Sequence, residues 1–405
     1  MIALNCLFVV FTIHKFNECF YEENPEYLKN IKNKMNTKFP RRKRLAKAYL
    51  TIGKTFGKWI SPLFTGLLLT LLRGIVSIGL LLDKLIFPSL RKMKITNPVV
   101  IVGNPRSGTT FLHRFLVSNN IGTGAQLWQL LYPSIILQKL IRPILPLLNL
   151  VSPTRHHSTE AHKTSLTSVE TDDPSILFKH FDGFFLYGFI LAWAEEDLFN
   201  YFDPRIRDTS QRDFDWLESV WIRVLKSSDQ DIIIPKLFSI STNIPKFLSR
   251  FPDARLLYMV RDPLNVIPSG LSLVTGVLDT KFGFWNLPQK TRDRYIQRLY
   301  RALVELLIRF HDDWINGKID RSKVMIVHYE QMMQNFDGLM ADILKFIDLH
   351  PSEELIHEIK LTTEKQRNYS SKHQYDLKKF GLSAKQIKSD CSMIYETFLN
   401  NPKFD

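Results

Sequence analysis

Residues 98–113 read Pro-Val-Val-Ile-Val-Gly-Asn-Pro-Arg-Ser-Gly-Thr-Thr-Phe-Leu-His. The run from Val99 to Val102 has no polar face, as a parallel strand covered on both sides requires. A Gly/Asn/Pro/Arg/Ser turn follows, and then Phe111, Leu112, Phe115 and Leu116 recur at helical spacing. A strand, a glycine-bearing turn and a helix in that order cradle an anion, with free first-turn N–H groups and the helix dipole behind them. Gly103 and Gly108 keep the spacing of the nucleotide-triphosphate loop G-x-x-x-x-G-K-[ST], but Thr109 stands where its lysine belongs. A positive charge is present instead at Arg106, inside the loop. That suits an anion smaller than a magnesium triphosphate and weighs against an ATP-using kinase. Arg106, Ser107, Gly108, Thr109 and Thr110 are the first candidate binding residues.

Working outward, Ile232–Ile234, Arg255–Val260 and Lys323–His328 are further short apolar runs, the last preceded by a long helical stretch from Lys290 to Asn316. Strands alternating with helices predict an α/β fold, a mostly parallel central sheet flanked by helices in a P-loop NTPase-like arrangement. Residues 120–230, rich in helix formers and aromatics, read as insertions over the strand ends, where ligands of such sheets bind. Arg261-Asp262-Pro263 closes the third strand, with Asp262 and Pro263 starting a helix. Ser269 lies eight residues after Arg261, about two helical turns on. An arginine fork and a hydroxyl on one cleft suit a dianionic phosphate monoester.

The chain has 405 residues, 45% hydrophobic and 23% charged, which excludes disordered, collagen-like and low-complexity classes. Cys6, Cys19 and Cys391 are too few and too scattered for a disulfide framework or a thiolate metal site. The formal charge is +14, yet residues 1–94 hold 17 Lys and Arg against 5 Asp and Glu, a balance of +12 that leaves +2 for the other 311. A nearly neutral body is not that of a nucleic-acid binder. The excess centres on Arg41–Arg44 and precedes two apolar runs, Trp59–Leu72 and Gly74–Phe87, separated by Arg73. Residues 1–94 are therefore expected to form a basic, partly apolar helical arm. It is expected to be cytoplasmic and peripheral to, or anchored in, an anionic membrane surface. Neither run reaches the roughly 20 residues of a span, so a hairpin or an in-plane helix is favoured over a crossing. A solvated linker leading into a core-packed helix is the competing reading. Met1–Ile13 is apolar but lacks a basic n-region and a cleavage site, and is not read as a signal peptide.

Residues 98–113, Phe251–Pro263 and Ser269–Ser272, with Lys323–Glu330 and Tyr369–Leu382 as weaker matches, together resemble the sulfotransferase family. More narrowly, they are similar to the branch with many bacterial and membrane-associated sulfotransferase-domain proteins. The resemblance covers the chain from about residue 95 to the C-terminus, so residues 95–405 are expected to be the sulfotransferase domain. It implies an enzyme that moves a sulfuryl group from 3′-phosphoadenosine-5′-phosphosulfate to a hydroxyl, or an amine, by in-line displacement without a metal. By it, Arg106 to Thr110 would hold the 5′-phosphosulfate, and Arg261 and Ser269 the 3′-phosphate. Lys236 occupies the place of the family's lysine after the second strand and would neutralise charge on the transferring group. Ser371, Lys372 and His373 would close over the nucleotide.

Cytosolic members carry a histidine two residues after that lysine; Phe238 stands there in this chain. The general base is then sought in a carboxylate after the first helix. Glu170 is the first choice, Asp172 and Asp173 the next, and His162 the last. In the competing reading, Thr171-Asp172-Asp173-Pro174 only caps a helix. The acceptor is expected to be a lipid, glycan or small molecule. Its pocket would be lined from residues 120–230 and Leu273–Lys290, although Phe282, Phe284 and Trp285 serve equally as core. A P-loop kinase-type phosphotransferase and a membrane-docked nucleotide-binding protein without chemistry are the rival readings.

Overall fold

Pro235 decides where the second strand begins. β1 (Val99–Gly103), β2 (Lys236–Leu237), β3 (Arg255–Val260) and β4 (Val324–His328) form one parallel sheet in the order β2-β1-β3-β4. The computed structural model describes residues 39–151, 165–368 and 376–400. The expected second strand, Ile232–Ile234, does run beside β1, with Val99 N–H donating to Ile233 O and Ile101 N–H to Pro235 O. Proline has no N–H to return, so the regular ladder starts only at Lys236, paired with Ile101. β1 and β3 pair from Val99↔Arg255 to Gly103↔Met259, and β3 and β4 from Leu256↔Val324 to Val260↔His328. All four strands therefore end at one edge.

The principal helices are α1 (Arg41–Phe56), α2 (Ser61–Ile86), α3 (Thr109–Ser118), α4 (Ile135–Ile141), α5 (Asp173–His180), α6 (Ser210–Lys226), α7 (Pro263–Phe282), α8 (Gln289–Ile315), α9 (Tyr329–Gln334) and α10 (Phe336–Phe346). The two-residue period of the strands sends alternate side chains into two cores. Val100, Val102, Leu256, Tyr258 and Val260 join the larger core with α8, Tyr258 stacking on Phe310. Val99, Ile101, Leu257, Met259 and Val327 join the smaller one with α3 and α10. Both faces are covered, which accounts for strands without a polar side.

The basic arm is not loose where it is described. α1 puts Leu45, Ala48 and Ile52 into the larger core, and Phe56 stacks on Phe282. Arg44, from the basic quartet, is buried and bonds the carbonyls of Phe39 and Phe181 and the Asp182 carboxylate. The apolar stretch after it is one continuous 26-residue helix, α2, so the hairpin alternative is not what forms. Arg73 does not break it because its guanidinium turns inward, donating from Nε to Phe178 O at 2.7 Å. Asp83, fully buried on the same side, accepts from Ser134 Oγ, the amides of Ile135 and Ile136, and Arg223 Nε at 2.9–3.1 Å.

Replacing Asp83 by Ala would strand Arg223 without its carboxylate and leave two buried amides unbonded. The expected loss is roughly 3–5 kcal/mol of unfolding free energy, read from urea denaturation.

Candidate functional site

Each strand delivers one polar group to the common edge. The turn after β1 leads straight into the N-terminus of α3 because Gly108 takes φ 93° as the N-cap of that helix. A Cβ at Gly108 would lie 2.5 Å from Met332, so both conformation and space demand glycine. Asn104 anchors the turn from below, donating from Nδ2 to Leu303 O at 2.8 Å, and Ser107 donates from Oγ to Asn104 O at 2.7 Å. Arg106 sits at φ 77°, a left-handed conformation that costs a non-glycine residue about 1–2 kcal/mol. It is compensated where the side chain lands, with Nε donating to Ser269 Oγ at 2.9 Å.

The second loop arrives at the same place. Arg261, directly after β3, donates from Nη1 to Arg106 O at 2.8 Å and lies 3.8 Å over the ring of Tyr329, which follows β4. Its Nε is buried and has no partner among the described residues. Asp262 caps α7 by accepting from Leu264 N–H at 2.8 Å, and it also accepts from the Tyr395 hydroxyl at 2.5 Å. The helix start expected at Asp262-Pro263 is therefore present, and Arg106, Arg261 and Ser269 come together in one bonded cluster.

The third cation comes from β2. Lys236 is 1% exposed, and its Nζ donates to Thr110 Oγ1, on the first turn of α3, at 3.1 Å. Burial pushes its ammonium down to about 8, against the attraction of the Glu170 carboxylate. Glu170 is buried and pairs through Oε1 with Arg114 Nη2 at 3.1 Å. Arg114, Lys236, Thr110 and Glu170 thus form one polar cluster beside the anion cradle.

The two aspartates do different work. Asp172 accepts Lys236 N–H at 3.0 Å and Trp221 Nε1–H at 3.4 Å. Burial pushes its carboxyl up to about 7, against those two donors. Asp173 accepts Phe238 N–H at 2.8 Å, Ser239 N–H at 3.2 Å and the Thr171 hydroxyl at 2.6 Å. Both clamp the backbone around Lys236 instead of projecting into the crevice. His162, the His156–His157 pair and the Ser371–His373 segment with Lys372 lie outside the described residues.

Sequence reasoning passed over three groups. Arg114 stands one turn beyond Thr110 on α3, and that i, i+4 spacing was the available signal. His113 is fully buried with Nε2 2.8 Å from Ile234 O, and burial beside Lys236 pushes it down to about 3. It is therefore a neutral brace between α3 and the β2 segment. Tyr329, the face under Arg261, had no signature of its own. Phe284, one of the expected pocket aromatics, is fully buried between Trp193, Trp285 and Tyr295 as core. A separate cavity of about 100 Å³ among Tyr187, Arg207, Phe214 and Arg309 has none of Thr110, Glu170 or Lys236 in its wall.

An α/β sheet with cations and a helix N-terminus gathered at its carboxyl edge is the framework of a group transferase that handles anions. The sulfotransferase family model matches residues 98–353, more than half of the chain, and the chain belongs to that family. It is a sulfotransferase, which sets aside the kinase reading. Its fold is similar to that of sulfotransferase STF1 from Mycobacterium tuberculosis H37Rv, with TM-score 0.64 and 16% identity over 91% of this chain and 98% of that one. It is also similar to sulfotransferase STF9 from Mycobacterium avium, with TM-score 0.60 and 17% identity over 79% and 81%. No curated protein sequence matches the chain.

Asp173→Ala should lower unfolding free energy by about 2–3 kcal/mol, because the buried Phe238 amide and the half-buried Ser239 amide lose their acceptor, while the Thr171 hydroxyl keeps the Lys236 carbonyl. Glu170→Gln, whose partner Arg114 is more exposed, should change it by less than about 1 kcal/mol. Parallel urea melts of the two variants compare the roles.

Proposed function

We propose that the protein transfers the sulfuryl group of 3′-phosphoadenosine-5′-phosphosulfate to an acceptor hydroxyl by in-line displacement. The observation that carries this reading is the junction of the two loops: Arg106 Nε on Ser269 Oγ, with Arg261 on the Arg106 carbonyl. A donor with phosphate at both the 3′ and 5′ positions needs two neighbouring anion sites, and the buried Nε of Arg261, without a partner among the described residues, fits such an anion. The donor supplies an activated sulfuryl group; the protein's own residues must fix it and absorb charge. In this reading Arg106 to Thr110 hold the 5′ end through the α3 N-terminus, and Arg261 and Ser269 hold the 3′-phosphate. Lys236, already aimed at Thr110, stabilises the charge that grows on the leaving oxygen.

Glu170 takes the acceptor's proton in this reading, oriented by Arg114. Asp172 and Asp173 hold the strand that carries Lys236, while Lys372 and His162 complete the proposal from segments outside the described residues. The acceptor is a lipid, glycan or small molecule bearing a hydroxyl. Residues 1–94 are the arm in this proposal and 95–405 the catalytic domain, with an anionic membrane surface as a second partner on the cytoplasmic side.

Calorimetric titration should give adenosine 3′,5′-bisphosphate at least about tenfold tighter binding than adenosine 5′-monophosphate, with Arg261→Ala erasing the difference. Equal affinities in the wild type would remove the reading.

The free protein loses the Lys236 charge as pH rises through about 8, because burial holds that ammonium below its ordinary value. Bisphosphate affinity should therefore be flat from about pH 7, where both phosphates are dianionic, up to that pH, and fall by up to about tenfold per pH unit above it. Lys236→Arg, still charged there, should lose the alkaline decline.

A further inference from the structure

The polarity of α2 is inverted relative to an ordinary surface helix. Arg73 and Asp83, in the interior of the helix, face the protein and are bonded there. Leu68, Leu71, Ile75, Ile78 and Leu85 lie on the opposite side, 52–66% exposed, with Phe64 at 77%. With Leu82 between Ile78 and Leu85, their spacing of three and four residues makes a single stripe along a helix about 39 Å long. No charged residue interrupts it. By length and composition α2 could cross a membrane. Doing so would pull Asp83 from Arg223, Ser134 and two amides, and Arg73 from α5.

A second apolar strip continues the first. α4 packs against α2, with Gly79 so close to it that a Cβ there would sit 2.7 Å from Ser134 Oγ and 2.8 Å from Leu137. Leu140 on α4, Ile144 on the turn after it, and Leu147 and Leu150 on the short helix Leu145–Val151 are 49–67% exposed at the same three- and four-residue spacing. A patch built from two helical segments exceeds the scattered apolar exposure of an ordinary surface.

The charges around it select the occupant. Residues 39–94 hold twelve Lys and Arg and one carboxylate, Asp83, which is buried. Lys54 and Lys58 precede α2, Lys84 is in its last turn, and Arg91, Lys92 and Lys94 follow it, all exposed. Lys139 and Arg142 flank the second strip, Lys139 lying 5.2 Å over the ring of Phe87 at the end of α2. A two-fold contact between copies would place this basic rim against itself. An anionic lipid surface meets both the apolar stripe and the rim.

We propose that α2 and residues 135–150 form an in-plane docking surface for an anionic bilayer, α2 lying parallel to the membrane with its apolar stripe among the acyl chains. This specifies the membrane partner proposed above, but its test does not depend on the nucleotide. Arg73 ties the surface to the catalytic end, since it bonds α5, whose first residue Asp173 holds the backbone after Lys236.

The test is sedimentation of the full chain with preformed vesicles of phosphatidylcholine, with or without phosphatidylglycerol. Binding is expected only with phosphatidylglycerol and should weaken in high salt. The double variant Leu71→Glu/Ile75→Glu should bind at least about tenfold less while its bisphosphate titration is unchanged. Undiminished binding of that variant, equal binding to neutral vesicles, or resistance to alkaline carbonate extraction would each overturn the in-plane anionic surface. So would a wild-type dimer in light scattering that the double variant abolishes, because a second copy would then cover the stripe. Loss of nucleotide binding with intact vesicle binding would count against the donor reading alone.

Discussion

A buried lysine needs a rigid backbone under it, and here that backbone is held by carboxylates. Lys236 lies in a two-residue strand that begins only after a proline and has a neighbour on one side. Such a strand has little ladder to fix it. Asp172 and Asp173 supply the missing constraint by accepting the amides of residues 236, 238 and 239, and the Thr171 hydroxyl donates to the carbonyl of Lys236. The ammonium is thereby aimed at the first turn of α3 despite its desolvation, by a clamp that lies outside both loops.

The two loops are related in the same economical way. Arg106 accepts backbone strain to reach Ser269, and its carbonyl then becomes the acceptor for Arg261. Neither arginine is placed independently. Tyr329 beneath Arg261 and Met332 against Gly108 extend the arrangement to the end of β4. Cations fixed in this way have no need to reorganise to meet an anion.

Much of this was legible because it is local. The phosphate-type turn, three of the four strands and the Asp262-Pro263 helix start are contiguous patterns, and each stands within a residue or two of its expected place. What escaped depends on partners remote in sequence. Glu170 is joined to Arg114 across 56 residues, and Asp83 to Arg223 across 140. Arg73 looked like an interruption because the Phe178 carbonyl that absorbs it is 105 residues away. The onset of β2 was misplaced for a different reason, since apolar texture marks burial but not which amide can donate. The aspartates after Glu170 carry a helix-start pattern, and nothing in their spacing announces that their oxygens point at another strand.

The Tyr395 hydroxyl on Asp262 joins the end of the fold to the start of α7. Asp262 is the covalent neighbour of Arg261, so the segment that carries Tyr395 braces the residue next to that arginine. Removing that hydroxyl alone, as Tyr395→Phe would, frees a carboxylate 133 residues earlier while Phe398, packed on Phe310 and Trp314, keeps the end of the chain in the core.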